Sequence, residues 1–179
     1  MPHQLSIKSV YNDRLQTFTK LFEKLKDVGQ THIGLILARP ASHSHSTKEV
    51  LAAYDEVFGE TISSNVVRYH GKTFADGIWE AKQLVQIDNH LQVVLTEGDT
   101  TAAGAYSEYQ KSGLDVTVIG QENELPSKLL GFSTIDYHLE EVGRQSVALL
   151  EEDVRSVAVP VEIVERKSGD EPRVMRNRS

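Results

Sequence analysis

The sequence predicts an α/β fold built on a mainly parallel sheet, and three observations support this. Short runs rich in β-branched residues alternate with segments in which apolar residues recur every three or four positions, the spacing of an amphipathic helix. The runs are apolar at nearly every position, as expected for strands that are covered on both faces. Strands and helices that alternate in this way favour right-handed βαβ units.

Seven strands are predicted from these runs. They are Leu5–Val10, His32–Ala38, Asn65–Tyr69, Gln92–Thr96, Val116–Ile119, Phe132–Ile135 and Ala158–Val164. The last stretch, Lys167 to Ser179, is polar and lacks a periodic pattern. We therefore expect a frayed tail there, over residues 169–179.

Five helices are predicted between the strands, and their ends carry recognisable signals. They run from Leu15 to Val28 before Gly29, from Ser46-Thr47 to Gly59, from Phe74 to Val85, from Asp99 to Gly113, and from Leu139 to Glu152. Ser, Thr or Asp at the start and Gly at the end are the residues that cap helices. The segment Gln121 to Gly131 has no clear period, so we predict a long loop after a strand, where ligands often bind.

Composition excludes several functional classes. The chain has no Cys, which removes disulfide scaffolds and thiolate zinc sites. It has 26 Asp and Glu against 19 Lys and Arg, a net charge of -7, so bulk charge would not hold nucleic acid. The beginning of the chain does not resemble a secretory signal, and the longest apolar stretch, Ile33 to Ala38, is too short to span a bilayer. We expect a soluble, cytoplasmic protein with no membrane partner.

The motifs that mark common enzymes are absent from the sequence. It contains neither GxxxxGK[ST] nor GxGxxG, the phosphate-binding loops, and no GxSxG nucleophile elbow. His43 and His45 form a lone HxH in a Ser-rich segment, without the third and fourth ligands that a metal site needs. We therefore predict a solvated loop there, no metal and no cofactor. With no nucleophile–base pair evident, we predict that the chain is not an enzyme.

Polar residues follow two of the predicted strands and are candidate ligand contacts. Asp99 begins a helix directly after a strand, where its carboxylate could cap the helix or accept a ligand hydroxyl. Gln121, Glu122 and Asn123 follow the next strand and could bind sugar or purine groups, or face only water. The aromatic side chains of Phe74 and Trp79 on the third helix are expected in the core.

Five segments in this order resemble the effector-binding region of lac repressor and galactose repressor type (LacI/GalR) transcription regulators. They are GQTHIGLI, GDTTAAGAYSEYQKSGL, DVTVIGQEN, GFSTIDYHLEEVGRQSVALL and VPVEIVERKS. The resemblance covers roughly Val10 to Ser168. The most specific combination is Asp99 to Gly113 with Val116 to Gly120, followed by Ser133-Thr134-Ile135 leading to Gly143. It implies the periplasmic-binding-protein-like type I fold, a parallel-sheet sandwich.

The resemblance also implies a domain organisation. Residues 1–13 correspond to a remnant strand of the N-terminal subdomain, and residues 14–168 to the C-terminal effector-binding subdomain with crossover helix 139–152. Family members begin with a helix-turn-helix DNA-binding domain, for which there is no room before Ser9. We therefore expect a fragment or a truncated gene product that binds DNA only through a missing N-terminal domain. Relatives pair through this region, so a homodimer is expected.

The effector contacts of the family carry over to few positions of this chain. Relatives have Asn-Asp where this chain has Gly98-Asp99, so Asp99 matches. The Asp after the glycine-containing strand becomes Glu122 or Gln121. The Arg of the second helix aligns near Lys48 or Val50, and no Arg is found there. The aromatic residue before the third helix corresponds to Phe74.

These observations lead to one preferred function and two alternatives. We predict the ligand-sensing portion of a LacI-family regulator whose small-molecule effector is a sugar or a related compound. The first alternative is a small sugar-binding protein of the periplasmic-binding-protein type. The second is an enzyme on a flavodoxin-like scaffold, for which the sequence offers no reactive site.

Overall fold

The chain forms two sheets of unequal size in the computed structural model, which describes residues 8–151 and 155–166. The strands in these ranges are β1 (Ser9–Tyr11), β2 (Ile33–Ile36), β3 (Val67–Arg68), β4 (Val93–Thr96), β5 (Thr117–Gln121), β6 (Ser133–Asp136), β7 (Ser156–Ala158) and β8 (Glu162–Val164). The helices are α1 (Arg14–Asp27), α2 (His45–Phe58), α3 (Phe74–Ile87), α4 (Asp99–Ser112), α5 (Leu125–Leu130) and α6 (Leu139–Ala148). None of the helices in this part of the chain is long and apolar enough to cross a bilayer.

The larger sheet has the strand order β3-β2-β4-β5-β6-β8. Its neighbouring strands are parallel except for β6 and β8, which pair antiparallel. The smaller sheet consists of β1 and β7 in parallel, with Ser9 opposite Ser156. The predicted α/β class with a mainly parallel sheet is therefore confirmed.

Helices cover both faces of the larger sheet, and each face has its own apolar core. Successive strand residues point to opposite faces, so Leu35 faces one core and Ile36 the other. The first core joins the sheet to α1 and α2 through side chains that include Phe18 and Phe22. The second joins it to α3 and α4 and includes the buried Tyr109. This arrangement explains why the strands are apolar at almost every position.

The ends of the long helices follow the signals in the sequence. The Thr73 hydroxyl accepts a hydrogen bond from the Asp76 N–H, and the Asp76 carboxylate accepts one from the Thr73 N–H, forming a capping box at α3. Gly59 and Gly113 end α2 and α4 in the left-handed conformation, with φ of 72° and 68°. The start of α2 differs slightly from the prediction, since Ser44 caps a helix that begins at His45.

The predicted strand Ala158–Val164 is wrong, because this stretch contains parts of two strands in two sheets. β7 ends at Ala158 in the smaller sheet, and β8 begins at Glu162 in the larger one. Pro160 lies between them and has no backbone N–H to donate to a ladder. The chain thus crosses from one sheet to the other where a single strand was expected.

The predicted loop Gln121 to Gly131 is also wrong, because it contains the short helix α5. A proline in the first turn of α5 and Gly131 at its C-terminal cap, with φ of 78°, favour these helix ends. The helix has only six residues, too few to show a periodic pattern.

Three boundaries and the terminal segments differ more modestly from the predictions. The expected strand Asn65–Tyr69 is a 3₁₀ turn at Ser64–Val66 followed by the two residues of β3. α6 ends at Ala148, and the rest of the predicted helix leads into residue 152, outside the described residues. The first predicted strand is observed only as Ser9–Tyr11. Its residues 5–7 and the expected tail over 169–179 also lie outside the described residues.

Phe74 and Trp79 correct the expectation that both aromatic side chains lie in the core. Phe74 is 44% exposed and Trp79 is 61% exposed. α3 instead buries small and acidic residues against its neighbours, including Gly77, Glu80 and Ala81. The tight packing of α3 on α4 leaves room for glycine and alanine on the buried face and places the large rings outside.

Candidate functional site

The carboxyl ends of the parallel strands form one edge of the larger sheet, and this edge carries the candidate site. Ligands in open α/β sheets bind outside the carboxyl ends of the strands. A cavity of about 530 Å³ lies where β5 and β6 end and α6 begins. Its lining consists of polar side chains and one leucine: Glu122, Asn123, Lys128, Asp136, His138, Leu139, Glu140, Glu141 and Arg144.

Asp99 is fully buried beneath this edge and does not cap α4. The capping position belongs to Gly98, so the prediction of an Asp99 N-cap is wrong. The Asp99 carboxylate accepts one hydrogen bond from the Thr134 hydroxyl (2.6 Å) and another from the Glu124 N–H (2.7 Å). Burial raises the pKa of Asp99, against the opposing effect of these hydrogen bonds. Asp99 itself follows β4. Its carboxylate therefore connects that segment to the segment after β5 and to strand β6.

Gln121, the last residue of β5, is also buried, with 2% of its surface exposed. Its amide nitrogen donates to the Thr96 carbonyl (2.8 Å), and its amide oxygen accepts a hydrogen bond from the Tyr137 hydroxyl (2.5 Å). Both ends of the side chain are therefore occupied by partners within the protein. The guanidinium of Arg14 lies over the ring of Tyr137, and its central carbon is 4.3 Å from the centroid of that ring.

Glu122 and Asn123 form an unusual turn at the rim of the cavity. Both adopt positive φ, 93° and 51°, although neither is glycine. Partial burial raises the pKa of Glu122, and the charges of Glu124 and Asp99 raise it further. Glu122 thus lines the cavity at a place where negative charge is already concentrated.

Asn123 connects the rim to two distant parts of the chain. Its amide nitrogen donates to the Asp136 carboxylate (2.7 Å), and its amide oxygen accepts from the Arg166 guanidinium (2.6 Å). Partial burial alone would raise the pKa of Asp136. The hydrogen bonds from Asn123 and the His138 N–H, with the nearby charges of His138 and Lys128, lower it below its ordinary value. Asp136 thus remains ionised in the cavity wall.

The structure brings only part of the predicted set to this cavity. Glu122 lines it, whereas Asp99 and Gln121 lie buried behind the rim. Lys48 is exposed on α2, and Phe74 begins α3; neither lines this cavity. Ligand contacts by Asp99, Gln121, Phe74 and Lys48 therefore stay predictions.

Several lining residues were missed in the sequence. Asp136 and His138 end or follow β6, so the same rule that singled out Glu122 after β5 would have found them. Arg166 is not among the lining residues; its contact with Asn123 had no such signal, because it spans 43 positions of the chain. His43 and His45 are both exposed, as expected, but His45 is the first residue of α2 and does not lie in the predicted loop. No group of three or more potential metal ligands is found within residues 8–151 and 155–166.

Comparison with known proteins finds a relative of this chain among characterised sequences. Over 149 residues the chain is 28% identical to Catabolite control protein B of Bacillus subtilis (strain 168), a match that covers 83% of this chain and 48% of that protein. The chain therefore spans about half the length of this curated relative.

Two solved structures of transcription regulators share the fold. CcpA of Lactococcus lactis superposes with a TM-score of 0.75 at 21% identity, covering 90% of this chain and 64% of that chain. The transcriptional regulator CelR in complex with cellobiose gives a TM-score of 0.75 at 18% identity, covering 92% of this chain and 54% of that chain. At these identities the likeness establishes the fold alone.

The family of this chain is shown by its match to a family model. Residues 3–176, nearly the whole chain, match the family described as periplasmic binding proteins and sugar binding domain of LacI family. This agrees with the resemblance noted in the sequence and with the fold shared with the solved regulators. The chain therefore belongs to the family of periplasmic binding proteins and LacI-family sugar binding domains.

Proposed function

We propose that the chain is the ligand-sensing part of a LacI-family transcription regulator, with a sugar or a related polyhydroxyl compound as its effector. The observation that carries this proposal is the polar cavity at the carboxyl ends of β5 and β6, in a chain of this family. The solved structure of the regulator CelR is a complex with cellobiose, which supports a sugar as the class of effector. Glu122 and Asp136 supply acceptors for ligand hydroxyl groups, and Lys128 supplies a donor.

The charge of the cavity narrows the class of effector. Glu122, Asp136, Glu140 and Glu141 line the cavity, and Arg144 is engaged by Glu141 through two hydrogen bonds of 2.8 and 2.5 Å. Like charges repel more strongly where water is partly excluded. We therefore propose a neutral sugar, in preference to a phosphorylated sugar or another anion.

The partners of the complete protein are part of the same proposal. We propose that DNA is bound through an N-terminal domain outside this sequence, that residues 1–13 belong with the N-terminal subdomain, and that the protein acts in the cytoplasm without enzymatic activity. Exposed apolar side chains support a homodimer: Phe74 and Trp79 lie on α3, and Leu125 and Leu129 on α5 are 65% and 74% exposed.

A thermal-shift experiment tests the proposed effector class. The melting temperature is measured with a panel of neutral sugars that includes cellobiose and with their phosphorylated counterparts. A ligand at about 100 times its Kd stabilises the native state by about 2.7 kcal/mol, which raises the melting temperature by several degrees. We expect a neutral sugar to give this rise and the matched phosphorylated sugar to give none.

Two variants connect that response to the cavity. Glu122→Gln removes a lining carboxylate, and Asp115→Asn removes an exposed carboxylate on the segment between α4 and β5. We expect Glu122→Gln to weaken the response and Asp115→Asn to preserve it. A panel in which no sugar raises the melting temperature would overturn the proposed effector class. An equal response in both variants would place binding elsewhere on the molecule.

A further inference from the structure

One side chain, that of Asn12, links all three connections between the two sheets. Within the described residues the chain passes between the smaller and larger sheets after β1, after β6 and after β7. Asn12 lies in the first connection, and its amide nitrogen donates to the Tyr137 carbonyl of the second (3.2 Å) and to the Val159 carbonyl of the third (3.0 Å). The Val159 N–H also donates to the Tyr11 carbonyl (2.8 Å).

The chemistry of this contact suits a primary amide. Its NH₂ group carries two hydrogens and can donate to two carbonyl oxygens at once. A carboxylate in the same place would have no donor and would face both oxygens with negative charge, and alanine would leave both carbonyls without this partner.

The second connection continues from Asn12 to the candidate site. The backbone of Tyr137 accepts from Asn12, and its hydroxyl donates to the buried Gln121 amide. Gln121 in turn donates to the Thr96 carbonyl, and the Thr96 hydroxyl donates to the Gly98 carbonyl (2.9 Å). This series of hydrogen bonds therefore runs from the junction of the two sheets to the ends of β4 and β5.

We propose that Asn12 is a positioning residue, which holds the smaller sheet and α6 in one orientation over the carboxyl edge of the larger sheet and so sets the shape of the ligand cavity. This inference rests on the proposed function for the identity of the cavity. The cavity walls fit it, because Glu122 and Asn123 lie in the turn that follows β5 of the larger sheet, while Leu139 and Arg144 come from α6. Loss of the Asn12 bonds would let the two walls move relative to each other.

The absence of cysteine makes a distance measurement direct, since two introduced cysteines can be spin-labelled without background. Val147→Cys places one label at an exposed position of α6, and Lys111→Cys places the other at an exposed position of α4, which packs on the larger sheet. Pulsed electron spin resonance then gives the distribution of distances between the two labels. We expect Asn12→Asp to broaden this distribution about twofold, because the connections lose their common donor.

Controls separate a positioning role from a general loss of structure. Asn89→Ala changes an exposed asparagine between α3 and β4 and should leave the distribution unchanged. Circular dichroism checks that each variant is folded. If Asn12→Asp does not fold, Asn12→Ala removes the donor without adding charge and is compared in the same way. A distribution as narrow as that of the parent protein in the folded Asn12 variant would overturn the inference.

A sugar titration keeps this result distinct from that of the proposed function. With a sugar found in the thermal-shift panel, Asn12→Ala should raise the Kd about tenfold while Asn89→Ala leaves it unchanged, because the binding walls are no longer preorganised. A broadened distribution in a protein that binds no sugar would support the positioning role and overturn the effector class. An unchanged Kd together with an unchanged distribution would overturn only the positioning role.

Discussion

At the scale of single residues, the turn at Glu122 and Asn123 is held by contacts from several directions. The three successive N–H groups from Glu122 to Glu124 donate to the Ile135 carbonyl, the Thr134 hydroxyl and the Asp99 carboxylate. Backbone in this region costs of order 1–3 kcal/mol for a residue with a side chain, and it persists where surrounding contacts fix it. The buried Asp99 thus has a structural task at the rim of the cavity, whatever contact the ligand makes.

The Glu122 backbone can be tested by comparing two substitutions. Glu122→Ala and Glu122→Gly remove the same carboxylate and differ mainly in the Cβ atom at a φ of 93°. We expect the glycine variant to be more stable than the alanine variant by about 1 kcal/mol, after the greater flexibility of glycine in the unfolded chain is included. Urea denaturation at neutral pH measures the difference. Equal stability of the two variants would show that the turn is not strained.

Asp136 should contribute stability that depends on pH. Because its pKa in the folded protein lies below the value of about 3.9 in the unfolded chain, the ionised form stabilises the fold above that value. This contribution is lost as the pH falls through the lowered folded pKa. We expect Asp136→Asn to cost about 1–2 kcal/mol at neutral pH, since it disturbs the bonds from Asn123 and the His138 N–H.

Urea denaturation of the parent protein and of Asp136→Asn, repeated from neutral pH down to about pH 3, measures this dependence. The gap between the two proteins should shrink as the solution becomes acidic. A gap of constant size would mean that the charge of Asp136 is unimportant.

The residue scale also shows what sequence reasoning reaches at the site. The position of Glu122 after a strand was enough to place it at the cavity. The role of Asp99 was not evident, because its partners Glu124 and Thr134 are 25 and 35 positions away. An aspartate at the start of a helix has a local explanation, capping, and only the tertiary structure shows that its side chain points elsewhere.

At the scale of elements, α3 and α4 approach each other through two glycines. A methyl group added to Gly104 would overlap the Phe74 carbonyl oxygen, and one added to Gly77 would overlap the Thr101 carbonyl oxygen. Each helix thus presents a bare backbone position to the other. Glycine at position 104 permits this close approach, and α3 is the helix that makes it.

Because of this contact, we expect glycine to be more favourable than alanine at position 104, the reverse of their usual helix propensities. Gly104→Ala should destabilise the protein by about 1–3 kcal/mol, because the helices must separate to admit the methyl group. Gly143→Ala in α6 is the matched control, since an added methyl group there meets nothing within 4 Å. That variant should gain up to about 1 kcal/mol from helix propensity. Thermal unfolding of both variants measures the contrast, and stabilisation by Gly104→Ala would contradict the packing described here.

Elements with local signals were predicted best. The long helices begin and end at capping residues that act within one turn, so their boundaries were correct to within a few residues. α5 is too short to display a period, and the division between β7 and β8 depends on which distant strands they pair with. These features are decided by tertiary contacts, which a periodic pattern does not contain.

At the scale of the whole molecule, burial differs sharply between the larger sheet and α6. Every residue of β4 is buried, whereas none of residues 139–148 in α6 is, and Val147 there is 69% exposed. Regions with few buried contacts open at a lower free energy. We expect backbone amides of α6 to exchange with deuterium on the order of 100-fold faster than those of β4. Mass spectrometry of peptides from the two elements measures this, and equal protection would indicate one cooperative unit.

The larger sheet also ends in short strands on both sides, and this affects how molecules of the protein can meet. β3 has two residues, and β8 has three and runs against the direction of its neighbour. Such brief borders offer little template for a strand from another molecule. We therefore expect this part of the chain to self-associate through side chains on its helices. Fibrils that grow from the edges of this sheet should be rare.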